Sequence, residues 1–390
     1  MEVQDDDATS HISTHARLTF NLLEGLKLNL FGAYTYNIVE NSQYLPTSVW
    51  ANGQAYKGTK KRESLLGNMM LTYKKNWKKH FFDVLALAEL QKETYTGYYT
   101  TVSNFSTDKF GYNNLQAGAL RLWEGTNSYY DQPRLASFMG RFNYTYADRY
   151  VLTLNARTDA SSKFGANHKW GFFPSFSAAW RVSEEEFMKD ITWLDMLKLK
   201  GSWGTLGNQN LDKAYPAEPL LTNAYSAVFG KPSAIYPGYQ LSYLPNPRLR
   251  WEKVEAWEAG AEANFFRNRL HFEGVYYKKT TKDLLAEVPG ISGTVPGIGN
   301  LGSIENKGVE LAINWRDQIG DWGYNVGANL TTIKNKVLSL VQDGYSIIAG
   351  DKSQSYTMAG YPIGYFYGYK VEGVYQTDEE IARSPKNTLA

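Results

Sequence analysis

The sequence predicts an all-β protein whose strands form part of an antiparallel transmembrane β-barrel. Three observations carry the prediction. Long stretches alternate apolar and polar residues, the mark of strands with two unlike faces. The connections between them alternate short and long, as the periplasmic turns and outer loops of a membrane barrel do. No apolar run approaches the roughly 18 residues that a spanning helix needs, and mean hydropathy is −0.45. A barrel passes that test, because only every second residue meets lipid.

The alternation is clearest between Arg134 and Val182. Phe138, Gly140, Phe142, Tyr144 and Tyr146 fall on one side, with Ser137, Arg141, Asn143 and Thr145 on the other. After the turn Ala147-Asp148-Arg149, Leu152, Leu154 and Ala156 oppose Thr153, Asn155, Arg157 and Asp159. In a soluble sandwich the polar face is the wet outside. Here aromatics crowd the strand ends of the apolar face and charges sit at mid-strand on the polar one. That division suits lipid outside and a wet lumen inside.

Taken in order, residues 1–10 read as a disordered or loop-like segment. His11 to Phe20 and Leu26 to Tyr36 alternate around a turn at 21–25, and residues 37–59 read as a polar loop. Lys60 to Tyr73 and His80 to Glu93 form a hairpin over the basic turn 74–79, and residues 94–133 read as a long loop. After the central stretch, Ser183-Glu184-Glu185-Glu186 reads as a capping box. With Phe187, Ile191 and Leu194 at helical spacing, it predicts one short amphipathic periplasmic helix near 184–195. Leu197, Leu199, Gly201 and Trp203 resume the strands, and 207–250 is the longest loop. Trp257 to Phe265 and Leu270 to Tyr276 make a hairpin turned at 266–269, and 282–304 is a Gly/Pro-rich loop. Val309 to Trp315 and Trp322 to Leu330 form the last hairpin, around 317–321, with one strand expected after Tyr361. The total is about 12–13 strands, each of about ten residues, near the length needed to cross a bilayer.

Composition narrows the function. The formal net charge of +2 over 390 residues gives no basis for nucleic acid as a partner. No cysteine is present, which removes disulfides, thiolate metal sites and cysteine nucleophiles together. The 29 Tyr and 34 Gly suit interfacial girdles and close strand packing, though soluble β proteins can be aromatic-rich as well. The acidic opening does not read as a secretory signal.

Several segments resemble the SusC/RagA-like family of TonB-dependent outer-membrane transporters of Bacteroidota. They are "LASFMGRFNYTYADRYVLTLNARTDASSKFG" from Leu135, "WGFFPSFSAAWRVSEEEFMKD" from Trp170 and "WLDMLKLKGSWGTLGNQN" from Trp193. "NPRLRWEKVEAWEAGAE", "NRLHFEGVYYKKTTKDLL", "NLGSIENKGVELAINWRD" and "YPIGYFYGYKVEGVYQTDEEI" follow in the family's order. The resemblance covers roughly residues 130–385. It implies a 22-stranded barrel filled by an N-terminal plug. On that comparison residues 1–390 are expected to be barrel alone, without the plug or the last closing strands. It also implies a location in the outer membrane of a Gram-negative bacterium and active import of a large nutrient, oligosaccharide or peptide. The implied partners are outer-membrane lipid, a SusD-like surface lipoprotein and TonB, which couples import to the proton-motive force.

Other motifs favour plain readings. Gly297-Ile298-Gly299-Asn300-Leu301-Gly302 matches G-x-G-x-x-G, but a dinucleotide site needs a strand before it and a helix after it. Here Pro289, Gly290, Gly293 and Pro296 precede it and an alternating strand follows. His11 and His15 have no acidic third ligand beside them, and Asp5-Asp6-Asp7 lacks the spacing of a calcium loop. None of the five histidines adjoins a nucleophile and an orienting acid in a local motif. No catalytic residue, cofactor or metal is therefore expected. Lys74, Lys75, Lys78 and Lys79 either meet anionic groups at the membrane surface or are simply solvated.

The loop aromatics Tyr98, Tyr99, Trp123, Tyr129, Tyr130, Tyr236, Tyr239 and Tyr243 either stack on a ligand such as a sugar or pack the loops together. Trp123, Tyr129, Tyr130, Tyr239 and Tyr243 are the substrate-binding candidates among them. Two rival functions stand beside import. A soluble glycan-binding or hydrolytic β domain would need a carboxylate pair on one concave surface. A passive porin-like barrel would transport without TonB.

Overall fold

The computed structural model describes residues 2–121, 125–230, 234–288, 295–341, 344–350, 354–371 and 373–384. Its main element is a 15-stranded antiparallel sheet whose continuous path runs through twelve strands in sequence order. They are β1 (Gln4–Leu23), β2 (Leu26–Leu45), β3 (Gln54–Trp77), β4 (His80–Phe105), β5 (Arg134–Tyr146) and β6 (Tyr150–Ser161). Then follow β7 (Trp170–Arg181), β8 (Leu194–Asn208), β9 (Glu252–Phe265), β10 (Leu270–Lys282), β11 (Ser303–Ile319) and β12 (Trp322–Thr331). Among the described residues no helix is long and apolar enough to cross a membrane, which says nothing of strands.

The register turns the sequence alternation into two continuous rows. Phe82, Tyr144, Leu152, Ala178, Gly201, Ala259, Tyr276 and Val309 stand opposite one another across β4 to β11. One residue away runs Asp83, Asn143, Thr153, Ser177, Ser202, Glu258, Tyr277 and Gly308. The first row faces out and the second faces in. A slip of one residue in any strand would exchange them.

Aromatic pairs bracket the outward face. Near the short turns Tyr146 stacks on Tyr150 at 6.3 Å, Tyr150 on Trp180 at 6.4 Å, and Trp193 on Phe265 at 5.9 Å. Toward the other end Phe176 meets Trp203 at 5.7 Å, and Trp203 meets Trp257 at 5.9 Å. Such girdles sit where hydrocarbon gives way to headgroups.

The short turns lie where the sequence placed them. Gly25 adopts φ +79°, and a Cβ there would sit 2.1 Å from the Lys74 carbonyl oxygen. Ala147 and Asp148, and then Phe266, Arg267 and Asn268, take positive φ in succession, which matches the twist of hairpin strands. At the opposite end the long connections fold on small cores of their own. One joins Phe164, Phe173, Leu211, Leu249, Trp251 and Ile298; the other joins Tyr44, Ala55, Val102 and Phe105.

Three expectations are corrected. Residues 4–10 are not a loop but the start of β1, where the Asp7 and Asp5 carboxylates accept from Asn41 and Gln43. β1 to β4 run 20, 20, 24 and 26 residues rather than about ten. Their upper parts, such as Thr94 to Phe105, are Thr- and Tyr-rich, and those residues favour extended backbone even when polar. The region 184–195 is not a helix but two 3-10 turns, Val182–Glu184 and Glu186–Met188. The Glu185 carboxylate is drawn away to Arg149 Nη1 (2.9 Å), Tyr150 Oη (2.6 Å) and Trp180 Nε1 (3.0 Å), and its backbone is extended. Among the described residues an α-helix forms at Asp378–Arg383, capped by Thr377, with Glu380 Oε2 accepting from the Gln376 amide at 2.7 Å. The strand expected after Tyr361 is the two-residue Tyr365–Phe366, in a small sheet with Ser346–Ala349 and Ser355–Met358.

Two outcomes follow. Leu154→Arg on the outward face should destabilise the full-length barrel in liposomes by about 2–4 kcal/mol. Thr153→Lys on the inward face should shift the denaturant midpoint far less. The second concerns Glu185. Hydrogen bonds from Tyr150 and then Trp180 hold its carboxyl below the ordinary 4.5, so its contribution is present above that value and lost as pH falls through the lowered one. Glu185→Gln should therefore unfold at lower temperature at neutral pH, with the gap from the parent closing steadily in acid, read by heat-modifiable gel mobility.

Candidate functional site

The inward face carries the chemistry. Lys198 and Lys200 alternate with outward Leu197 and Leu199 on β8, and register sets Lys198 against Glu262 on β9. Lys198 Nζ lies 3.2 Å from Glu262 Oε2. Lys200 Nζ lies 2.6 Å from Glu262 Oε1 and 2.6 Å from Glu273 Oε1 on β10. Lys279 and Glu258 approach to 3.9 Å. Lys198, Lys200, Glu273, Lys279 and Glu258 edge a groove of about 410 Å³ with Ser202 and Tyr277. Each ion pair is partly solvated, so it contributes about 1 kcal/mol or less to stability. What the network provides is a wet surface of alternating sign along which polar solute can exchange hydrogen bonds.

Nearer the long-loop end is a second polar groove of about 390 Å³, edged by Gln91, Glu93, Lys163, Asn208 and Asn210. Arg62 Nη2 lies 2.6 Å from Glu93 Oε1, and the Tyr95 hydroxyl donates to Glu93 Oε2 at 2.5 Å. Lys163 Nζ donates to the Leu211 carbonyl at 2.8 Å. Burial pushes the Lys163 ammonium pKa down, against the opposing pull of Glu93 and Asp212. On the same side Tyr56 stacks on Tyr99 with centroids 5.9 Å apart. Tyr129 lies over Gly97, where a Cβ would meet its ring at 2.6 Å. Behind them the Tyr44 hydroxyl donates to Asp108 at 2.8 Å, and burial with that bond pushes its pKa up to about 12.

The sequence-derived candidates do not converge. Trp123 lies outside the described residues. Tyr129 joins Tyr56 and Tyr99 on the inward side. Tyr130, opposite Thr96, shares the outward side with Tyr98, and its hydroxyl accepts from Gln132 at 2.7 Å. Tyr239 and Tyr236 are exposed on a separate hairpin, Leu221–Phe229 with Ala234–Leu241. Tyr243 is buried: its hydroxyl donates to the Tyr215 carbonyl at 2.6 Å and the Lys213 ammonium sits 4.1 Å over its ring. It packs the loops. Tyr56 was missed because 37–59 reads as loop; extending the alternation from Lys60 backward would have found it. Gly297–Asn300 is a strand paired with Leu285–Val288, and a second strand, β11, follows.

Comparison with known proteins agrees with this wall. The family model for the β-barrel of TonB dependent receptor-like proteins matches residues 3–390. TonB-dependent receptor P3 of Formosa agariphila is 32% identical over 371 residues, 92% of this chain and 36% of that protein. TonB-dependent receptor SusC of Bacteroides thetaiotaomicron is 29% identical over 397 residues, 95% of this chain and 38% of its own length. The chain thus spans little more than a third of these relatives. The solved RagAB peptide transporter matches with TM-score 0.82 at 24% identity, over 93% of this chain and 40% of that one. The likeness in fold and the family match meet on the same residues: the chain belongs to the TonB-dependent receptor-like β-barrel family.

Proposed function

We propose that this chain is wall of a TonB-dependent outer-membrane importer of the SusC/RagA type, which takes up an oligosaccharide or a peptide. The observation that carries the reading is the division of faces. Apolar and aromatic rows look outward over β4 to β11, while Asp83, Asn143, Ser202, Glu258 and the Lys198–Glu262–Lys200–Glu273 network look inward. A soluble sandwich would bury the apolar rows against a second sheet, yet Phe138, Leu154, Trp257 and Ile313 are all exposed.

In this reading, Tyr56, Tyr99 and Tyr129 meet the solute first, offering flat amphipathic rings for a sugar face or a peptide side chain. The lysine–glutamate network then passes it along a wet path. Coupling to the proton-motive force through TonB, and capping by a surface lipoprotein of the SusD type, belong to the proposal at the level of the whole protein.

Three results test it. Full-length protein should fractionate with the outer membrane and show heat-modifiable mobility; recovery as a soluble monomer without detergent would overturn the reading. Uptake of labelled oligosaccharide or peptide should stop when TonB is deleted, whereas a passive pore would continue. In the full-length protein, Tyr99→Ala with Tyr129→Ala should weaken ligand capture about tenfold or more with insertion intact, since each ring contact is worth about 0.5–1.5 kcal/mol.

A further inference from the structure

On the inner face, the tyrosines and the polar groove near the long loops are parts of one track. Tyr99, Gly97, Tyr95, Glu93 and Gln91 follow one another on the inward side of β4. From Gly97 to Gln91 the track covers about 20 Å at the rise of a strand. At its upper end the rings are seated on glycine. A Cβ at Gly58 would meet the Tyr56 hydroxyl at 2.6 Å, and a Cβ at Gly97 would meet the Tyr129 ring at 2.6 Å. Both rings therefore lie over bare backbone, Tyr56 stacked on Tyr99, and make a floor. Below them the Arg62 guanidinium sits 5.6 Å over the Tyr95 ring.

At the lower end is the groove of about 390 Å³. Its carboxylate is already held: Glu93 accepts from Arg62, Tyr95 and Gln91. Lys163 has used one of its three donors, on the Leu211 carbonyl. Gln209 and Asn210 border the groove, and among the described residues neither side-chain amide makes a hydrogen bond. Charges along the track cancel. Lys60, Arg62 and Lys163 are matched by Glu93, Asp131 and Asp212.

We infer that this track is a subsite for a neutral oligosaccharide, one pyranose on the Tyr56–Tyr99–Tyr129 floor and later units hydrogen-bonded by Lys163, Gln209 and Asn210. Three observations select that ligand over a peptide. The unclaimed amides both donate and accept, as a sugar hydroxyl does. The cancelled charges favour a solute without charge. A peptide that binds as an added strand needs an open edge, and β4, β5 and β6 beneath the groove are each hydrogen-bonded on both sides. The distance between floor and groove means that only a ligand of several linked units touches both.

The inference rests on the importer reading proposed above and narrows its cargo. Full-length protein, its insertion verified by heat-modifiable mobility, is extracted and immobilised in neutral detergent. It is offered neutral disaccharides and hexasaccharides of α-glucan, β-glucan, mannan, xylan and galactan together with a random hexapeptide library, and captured ligand is read by mass spectrometry. At least one hexasaccharide should be enriched about tenfold or more over the peptides and over its own disaccharide. Gln209→Ala with Asn210→Ala removes no hydrogen bond made by either side chain within the described residues. It should lower capture of that hexasaccharide about tenfold, the effect of losing a pair of hydrogen bonds, and leave the disaccharide unchanged. Gly58→Ala, which drives the Tyr56 ring off its seat, should weaken both lengths. Peptides captured as well as saccharides, no saccharide captured, or a hexasaccharide indifferent to the double variant overturns the subsite alone, since an importer of another cargo survives each of those results. Failure to insert, or uptake that persists without TonB, defeats the importer reading instead.

Discussion

The structure depends on one constraint: hydrocarbon offers no hydrogen-bond partner to a backbone amide, so every one in the wall must be paired within the sheet. A meander of antiparallel neighbours meets that demand with short turns at one end, and β1 to β12 follow that order. The same demand applies to the outer edges of β1 and β12, which need strand partners wherever lipid touches them. Side-chain chemistry is then added to a backbone whose pairing is already complete. That is why so little of the interior has to be greasy.

Register carries the rest. Because the rows through Phe82 and Asp83 are one residue apart, the wall separates lipid from water by the thickness of the sheet alone. Strict pleat alternation makes this economical and also makes every strand's phase decisive. The inward ion pairs are too solvated to hold the fold together. They keep the inner surface polar while pairing each lysine there with a carboxylate.

Much of this was legible in the residues. The hairpins around 147–149 and 266–269 could be read directly, since alternation and turn chemistry agree there. Segments such as Thr94 to Phe105 could not, because Thr, Ser and Tyr satisfy both a loop's polarity and a strand's backbone preference, and only pairing with β3 decides between them. The helix expected at 184–195 failed for a tertiary reason: Glu185 is tied to Arg149, Tyr150 and Trp180 in extended backbone, which breaks the run between Ser183 and Glu186, and Glu186 pairs with Lys189 instead of reaching back. Tyr243, open in the sequence to a ligand or to loop packing, is buried against the Tyr215 carbonyl, a distinction set by burial that spacing does not encode.

The length of β1 to β4 has its own consequence. Strands of 20 to 26 residues exceed the need of the hydrocarbon core by ten or more, which at about 3.3 Å per residue and a tilt near 40° lifts their tips roughly 25–40 Å beyond the hydrocarbon. That is a palisade, stiffened by its own ladder of backbone bonds from root to tip.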